Sequence, residues 1–114
     1  MSNLKKSNIN IEVLTNENNL PEQITWTAKE GGVDGANAEA MFLSLWDKSQ
    51  NAAMRIDLWN KEFNVDDMKK FMHQTLLTLA DTFEKSTGEK NMSEDLRDYC
   101  HHFADKMGIA PPLS

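Results

Sequence analysis

The chain has 114 residues, of which 39% are hydrophobic, and this length and composition predict one soluble domain, spanning residues 1–114, with a modest core. Its formal net charge of -6 argues against nucleic acid or an anionic membrane leaflet as the main partner, because both are negatively charged. A single cysteine excludes an intramolecular disulfide and a zinc site built on cysteine pairs.

The first residues, MSNLKKSNINIEV, contain no apolar run of the kind that a secretory signal requires. No segment reaches the roughly 18 continuous apolar residues of a membrane span. We therefore expect a cytoplasmic protein that does not insert into a membrane. Residues 1–7 and 109–114 are expected to be loosely ordered tails.

The N-terminal part reads as an antiparallel hairpin. Residues 8–14 alternate between apolar and polar side chains, with the period of a half-buried strand, and residues 22–28 do the same. Turn-forming residues lie between them, from Asn16 to Pro21. The side chains expected on the apolar face are Ile9, Ile11, Val13, Ile24, Trp26 and Ala28.

Residues 29–39, KEGGVDGANAE, hold three glycines and no apolar periodicity, and they predict a mobile loop. GGVDG is not a phosphate-binding loop, because Ala36 and Asn37 follow where such a loop has lysine and a hydroxyl residue.

Two interpretations compete between Met41 and Trp59. A helix places apolar residues at helical spacing over residues 38–46 but does not account for the alternation in residues 54–59. A hairpin with its loop at Lys48–Asn51 accounts for both halves, and we favour it. It opposes Leu45 to Met54, Leu43 to Ile56 and Met41 to Leu58 on a core side, and Trp46 to Ala53, Ser44 to Arg55 and Phe42 to Asp57 on a mixed side.

Two helices follow. Asn64 is expected to cap the first, with Asp66 and Asp67 in its first turn, and Gly88 is expected to end it. The second is expected to begin near Asn91 or Ser93 and to end at Gly108, before Pro111 and Pro112. Their apolar stripes contain Met68, Met72, Leu76, Leu79, Ala80 and Phe83 in the first helix and Leu96, Tyr99, Cys100, Phe103 and Met107 in the second.

Four segments, in this order and spacing, resemble a known family: LSLWDK at Leu43–Lys48, MRIDLW at Met54–Trp59, VDDMKKFMHQTL at Val65–Leu76 and LADTF at Leu79–Phe83. Weaker similarity extends through ITWTA near Trp26 and DYCHHFADKM near Cys100. The family is that of the gliding-motility-associated GldC proteins. The chain departs from it at Asn60 and Phe63, around which the family tends to have threonine and methionine.

The resemblance implies a small cytoplasmic accessory protein of the bacterial surface-gliding apparatus, whose other components lie in the cell envelope and are tied to a dedicated secretion system. It implies no catalytic residue, cofactor or nucleic-acid target. The process is thereby suggested, but the mechanism is not.

Two possible chemical sites have simpler explanations. His101 with Asp105, and Asp98 with His102, have the spacing of helical ligand pairs, but we interpret them as a solvated acidic helix face. Cys100 lies within an apolar stripe, which favours a small buried hydrophobe over a nucleophile. A methionine-lined binding groove is the minority alternative to methionines in the core.

The mixed side of the central hairpin is the better candidate site. Aromatic rings beside charged groups are typical of protein interfaces, although the same rings could instead be covered within the monomer. The candidate interaction residues are Phe42, Trp46, Arg55, Asp57 and Trp59.

We therefore predict an α+β fold, with a four-stranded antiparallel sheet made of two hairpins, followed by two helices packed on one face. The predicted function is that of a non-catalytic cytoplasmic adaptor of the gliding machinery, without metal or cofactor, which binds a protein partner and could form a homodimer. The alternative is a binding module for a small apolar ligand or an extended peptide.

Overall fold

The computed structural model describes residues 3–109, which form two compact units: residues up to Phe63, and residues from Asn64 onward. The first unit contains the strands and the second contains the helices, so the fold class is α+β, as predicted. The elements are β1 (Asn10–Thr15), β2 (Pro21–Ala28), a 3-10 turn (Lys29–Gly31), β3 (Val33–Ala38), β4 (Ala40–Asp47), β5 (Ala52–Trp59), α1 (Val65–Thr87) and α2 (Lys90–Met107).

The predicted N-terminal hairpin is confirmed. β1 and β2 are antiparallel, and Ile11 lies opposite Trp26 while Val13 lies opposite Ile24, as the alternating apolar pattern indicates. Asn16 organises the turn between them, because its side-chain Oδ1 accepts from the backbone N–H groups of Asn18 and Leu20.

The predicted loop at residues 29–39 is wrong. Residues 33–38 form β3, which pairs antiparallel with β2 to make a three-stranded sheet in the order β1-β2-β3. β2 already presents a second edge of unpaired backbone groups, and pairing satisfies them even though VDGANA is a poor strand sequence. Gly35 fits there because its φ is +66°, and its N–H donates to the Thr27 hydroxyl where the ladder is irregular.

The central hairpin forms in the predicted register. β4 and β5 pair without a bulge, and all six predicted pairs are present. The loop is held by Asp47, whose Oδ1 accepts from the backbone N–H and the hydroxyl of Ser49. The Ser49 hydroxyl thereby keeps the pKa of the Asp47 carboxyl below its ordinary value. Asn51 takes a left-handed conformation, with φ of +52°, which lets a loop without an Asn-Gly turn close.

The strands do not form the single four-stranded sheet that we predicted. They form a three-stranded sheet and a separate two-stranded sheet, β4–β5. Only Glu39 lies between β3 and β4, and the chain bends there, so that β4 leaves the three-stranded sheet and pairs with β5 alone. The prediction that both helices pack on one face of a sheet stays a prediction.

The helix boundaries agree with the capping signals. Asn64 caps α1 by accepting from the N–H of Asp67 at 2.7 Å, and Gly88 ends it with φ of +74°. α2 begins at Lys90, one residue before the earliest predicted start, and Gly108 ends it with φ of +68°. Pro111 and Pro112 lie outside the described residues.

Buried side chains are few in both units. In the first, Ile24 is 1% exposed at the centre of the three-stranded sheet. In the second, the seam between α1 and α2 contains small residues, Ala80, Ser93, Cys100 and Ala104, together with His73, whose ring stacks on that of Phe103. Of the predicted loose tails, residues 3–7 are exposed without helix or strand, and residues 1–2 and 110–114 lie outside the described part of the chain.

Candidate functional site

The two-stranded sheet brings all five candidate interaction residues to one of its faces, here called the aromatic face (Phe42, Trp46, Arg55, Asp57 and Trp59). Alternation along each strand and the observed register together require this, because Phe42 lies opposite Asp57 and Trp46 lies opposite Ala53. The spacing inferred from the sequence therefore matches the geometry of this face.

Two tryptophans mark the ends of the aromatic face. Trp46 is 66% exposed near the loop, and Trp59 is 52% exposed at the opposite end of β5. Trp59 lies opposite Ala40, six residues along β4 from Trp46, which separates the two rings by about 20 Å. Phe42, between them, is half-buried. A partner that contacted both tryptophans would therefore cover the full length of the hairpin.

A charged pair lies between the tryptophans. The Arg55 guanidinium donates to Asp57 through Nη2 at 2.9 Å and Nε at 3.2 Å, a two-pronged contact between neighbouring positions on the same face of β5. Both side chains remain partly exposed, at 47% and 37%. The contact fixes the orientation of the Arg55 guanidinium and the Asp57 carboxylate before any partner binds. An exposed ion pair of this kind contributes more to specificity than to stability.

An open groove adjoins Trp59 where the two sheets approach each other. It has a volume of about 230 Å³ and is lined by Asn16, Leu20, Pro21, Trp59, Asn60 and Lys61. Lys61 Nζ lies 3.8 Å from Glu22 Oε2 across this junction. Sequence reasoning missed the groove, because it depends on the bend at Glu39 that brings the start of β2 near the end of β5.

The opposite face of the hairpin, here called the aliphatic face, is half-buried at Met41, Leu43 and Leu58 but is more exposed near the loop than the core that we expected. It consists of Met41, Leu43, Leu45, Met54, Ile56 and Leu58. Leu45, Met54 and Ile56 are 62%, 54% and 53% exposed, so the part of the hairpin nearest its loop presents apolar side chains on both faces. Exposed apolar surface of this kind is typical of an interaction site.

Three of the side chains with possible chemistry are buried or lie against an aromatic ring. Cys100 is buried, as predicted, and burial raises the pKa of its thiol, which is the reverse of what a nucleophile needs. His73 is buried against Phe103, and His102 lies against the Tyr99 ring. Within residues 3–109, no three His, Cys, Asp or Glu side chains are grouped closely enough to hold a metal ion.

A second charged cluster, which sequence reasoning also missed, joins the two helices. Arg97 of α2 donates to Asp81 and Glu84 of α1, at 2.9 and 2.8 Å, and to Glu94 one turn away at 3.1 Å. Hydrogen bonds to the two α1 carboxylates raise the pKa of Arg97 above its ordinary value, and Glu84 has the larger effect. The Arg97 guanidinium is thus already bonded to three carboxylates of the same chain. We therefore interpret this cluster as a contact that holds α1 and α2 together and not as a binding site.

Comparison with known families gave one match. The family described as "GldC-like: Gliding motility-associated protein GldC-like" matches residues 21–109, which include β2 to β5 and both helices. No curated protein matched the chain, and no solved structure did. Among the helices of the described residues, none is long and apolar enough to cross a membrane.

Proposed function

The chain belongs to the GldC-like family of gliding motility-associated proteins, and we propose that it serves gliding as a non-catalytic cytoplasmic adaptor whose aromatic face binds another protein of the gliding apparatus. Family membership associates the chain with the process. The adaptor role, the cytoplasmic location, the absence of catalysis and the need for no cofactor are the parts that we add.

The exposure of Trp46 and Trp59 carries the proposal. Tryptophan is the residue most enriched at the energetic centres of protein interfaces, and two such rings are more than half exposed on one face. If each ring has roughly 200 Å² to bury, their exposed fractions together present over 200 Å² of aromatic surface. This is a substantial part of the roughly 800 Å² that one partner contributes to a standard interface.

The Arg55–Asp57 pair gives this face a means of selecting its partner. A bound protein that left the pair intact would have to leave room for the water that hydrates it, whereas one that replaced either contact would need its own carboxylate or guanidinium in register. The expected partner surface is therefore apolar at two points about 20 Å apart, with polar groups between them.

The alternative of a small-ligand module has less support. The groove at Trp59, about 230 Å³ and open to solvent, is below the 300 to 1,000 Å³ usual for ligand pockets. A larger groove, about 330 Å³, is lined by Asp81, Glu84, Lys85 and Arg97 and offers charged walls to an apolar ligand. Neither groove has the shape or lining of a closed apolar pocket.

The adaptor proposal is tested by affinity purification of tagged protein from gliding cells, comparing the wild type with Trp46→Ser and Trp59→Ser. Met92→Ser is a matched control, because Met92 is 53% exposed on α2, as exposed as Trp59, and is not one of the residues of the aromatic face. We expect a component of the gliding apparatus to accompany the wild type and Met92→Ser and to be lost from both tryptophan variants.

The same variants should be compared for gliding in cells whose own copy of the gene is deleted. Loss of gliding in the tryptophan variants, with normal protein levels, is the expected result. Retention of both the captured component and gliding in the double variant would show that the aromatic face is not the binding surface.

A further inference from the structure

The outer edge of β5 carries backbone groups that no other strand of the described residues pairs. Within residues 3–109, β5 bonds to β4 alone. The Asn60 N–H donates to the Glu39 carbonyl at 2.9 Å, so these two residues are a hydrogen-bonded pair at the end of the ladder. Such pairs alternate with pairs whose backbone groups point outward. The positions of β5 whose N–H and C=O groups point away from β4 are therefore Ala53, Arg55, Asp57 and Trp59.

The side chains along this edge are accessible. Of residues 53–59, all but Leu58 are exposed. The other strand of this sheet, β4, is less open, because residues 40–43 are half-buried and Phe42 already has an interaction partner in its own chain. Unpaired backbone beside exposed side chains is the setting in which a further strand adds to a sheet.

The charges on the β5 edge decide which strand it can accept. Charged side chains usually protect an edge from a neighbouring strand. Here two charges of opposite sign occupy successive outward positions, Arg55 and Asp57, and they bond to each other at 2.9 Å. An antiparallel strand fits if it places a carboxylate opposite Arg55 and a cation opposite Asp57. A second β5 strand carries these two groups in the required order.

We propose that β5 pairs with β5 of a second copy, antiparallel, about a two-fold axis at Ile56. Arg55 then lies opposite the second copy's Asp57, and Asp57 lies opposite its Arg55. The result is a continuous four-stranded sheet in the order β4-β5-β5-β4, in which both β5 strands are central. An isolated two-stranded sheet is marginal in water, and four strands remove that weakness for both copies.

The contact between Arg55 and Asp57 within each chain is kept in this pairing. Because both are outward positions, they form hydrogen-bonded pairs with the second copy, with Cα atoms about 5.5 Å apart. The four side chains stand at the corners of a rectangle on one face, and their signs alternate around it. Each guanidinium thus keeps its own carboxylate and gains a second one. Residues 52–59 contribute nothing to the net charge of -6, so the edges that meet do not add to the repulsion between copies.

Neighbouring registers are less favourable. Moving the axis to Arg55 would place two guanidinium groups opposite each other, and moving it to Asp57 would do the same with two carboxylates. The axis at Ile56 avoids both. It also opposes Trp59 to the second copy's Ala53, whose methyl group leaves room for the indole ring.

This dimer goes beyond the proposed adaptor function. It uses the backbone edge of β5 and leaves the surface of the aromatic face open to a protein partner. The two proposals fail separately, because Trp46 lies on β4, outside the new strand pair, and Trp46→Ser tests the face alone.

Crosslinking tests the axis directly. In Ile56→Cys, the two new thiols would lie at a pair without backbone hydrogen bonds, where Cα atoms are about 4.5 Å apart, within reach of a disulfide. Met54→Cys is the matched control, because Met54 lies on the same face of β5 and is 54% exposed, against 53% for Ile56. Its two copies would be about 14 Å apart in the proposed sheet. The one native cysteine is buried, so the wild type gives the background.

We expect mild oxidation to convert Ile56→Cys, and neither Met54→Cys nor the wild type, to a covalent dimer. Equal crosslinking of the two folded variants, or none in either, would overturn the proposed axis.

Sedimentation of charge variants tests the pairing between copies. Across the axis, Arg55→Glu alone opposes carboxylate to carboxylate, and Asp57→Arg alone opposes guanidinium to guanidinium. We expect the wild type to be a dimer and each variant alone to raise the dimer Kd at least about tenfold, with an unchanged circular dichroism spectrum.

An equal mixture of Arg55→Glu and Asp57→Arg is the decisive sample. In a mixed dimer every carboxylate again lies opposite a guanidinium, whereas neither chain regains the contact within its own strand. We expect the mixture to dimerise about as tightly as the wild type. A wild-type monomer at high micromolar concentration, single variants that dimerise like the wild type, or a folded mixture that stays monomeric would contradict the proposal.

Discussion

The backbone N–H of Asn60 donates to the Glu39 carbonyl at 2.9 Å. The residue that follows β5 is thus bonded to the residue that separates β3 from β4. Asn60 is 7% exposed. Its side-chain Oδ1 also accepts from the N–H groups of Glu62 and Phe63, each at 3.1 Å. One residue thus fixes both the bend and the turn that leads to α1.

Replacing Asn60 by Ala should destabilise the fold by about 1 to 3 kcal/mol, because two part-buried N–H groups would lose their side-chain acceptor. Chemical denaturation measures this as a fall in the midpoint. Asn60→Thr is the control: a threonine oxygen can still accept one of these bonds, so its loss should be smaller. Equal midpoints for wild type and Asn60→Ala would mean that water or the Asn60 carbonyl replaces the side chain without cost.

Asn64→Ala should cost on the order of 1 kcal/mol, because the N–H of Asp67 would lose its capping acceptor at the start of α1. Asn64→Asp keeps an oxygen at the same place and should retain most of the stability. Both variants are compared with the wild type by urea denaturation. A loss as large for Asp as for Ala would show that the capping oxygen is not the source of the effect.

Ile24 and Trp46 should respond very differently to truncation. Ile24→Ala removes the one large apolar side chain among the described strands that is fully buried, and should cost about 2 to 5 kcal/mol. Trp46→Ser removes a ring that is 66% exposed and should leave the unfolding midpoint nearly unchanged. Thermal unfolding of the two variants under identical conditions distinguishes them, and a large loss for Trp46→Ser would place that ring in the core.

The register of the central hairpin could be predicted from the sequence because one alignment sorts twelve side chains into two chemically consistent faces. β3 could not be predicted in the same way. Its sequence, VDGANA, has neither β-branched alternation nor aromatic residues, and it becomes a strand because β2 offers it an edge.

The division into two sheets was also beyond sequence reasoning, since it depends on a bend at Glu39, a residue with no special turn chemistry. The candidate site was predictable in its residues but not in its exposure. Alternation put Trp46 and Trp59 on one face, but only the folded chain shows how much of each ring stays uncovered. The Arg97 cluster depends on how α1 and α2 pair, which spacing along one helix does not reveal.

Arg97→Gln should weaken the contact between α1 and α2, because Asp81 and Glu84 would lose their shared cation. The melting temperature should fall slightly, and the difference from wild type should shrink in high salt, where exposed ion pairs are screened. The pKa of Arg97 is raised in the folded state, so its contribution is lost only as pH rises through that pKa, far above the physiological range. A difference that is unchanged in 1 M salt would indicate that Arg97 acts through packing of its stem.

Cys100 should react slowly with a thiol reagent such as DTNB while the protein is folded. The side chain is buried and burial raises the pKa of its thiol, so at pH 8 both access and thiolate fraction are reduced, and the rate should be at least about tenfold below that in denaturant. The exposed thiol of Ser44→Cys provides the fast-reacting reference in the same molecule.

The raised pKa of Cys100 also makes the stability of the fold depend on pH. The stability that the neutral thiol contributes is full below the unfolded-state pKa of about 8.5 and is lost as pH rises beyond it, because the unfolded chain then gives up the proton first. The wild type should therefore lose more stability between pH 8 and pH 10 than Cys100→Ala does, and an identical decline in both proteins, or stoichiometric labelling of the folded wild type at the denatured rate, would contradict a buried neutral thiol.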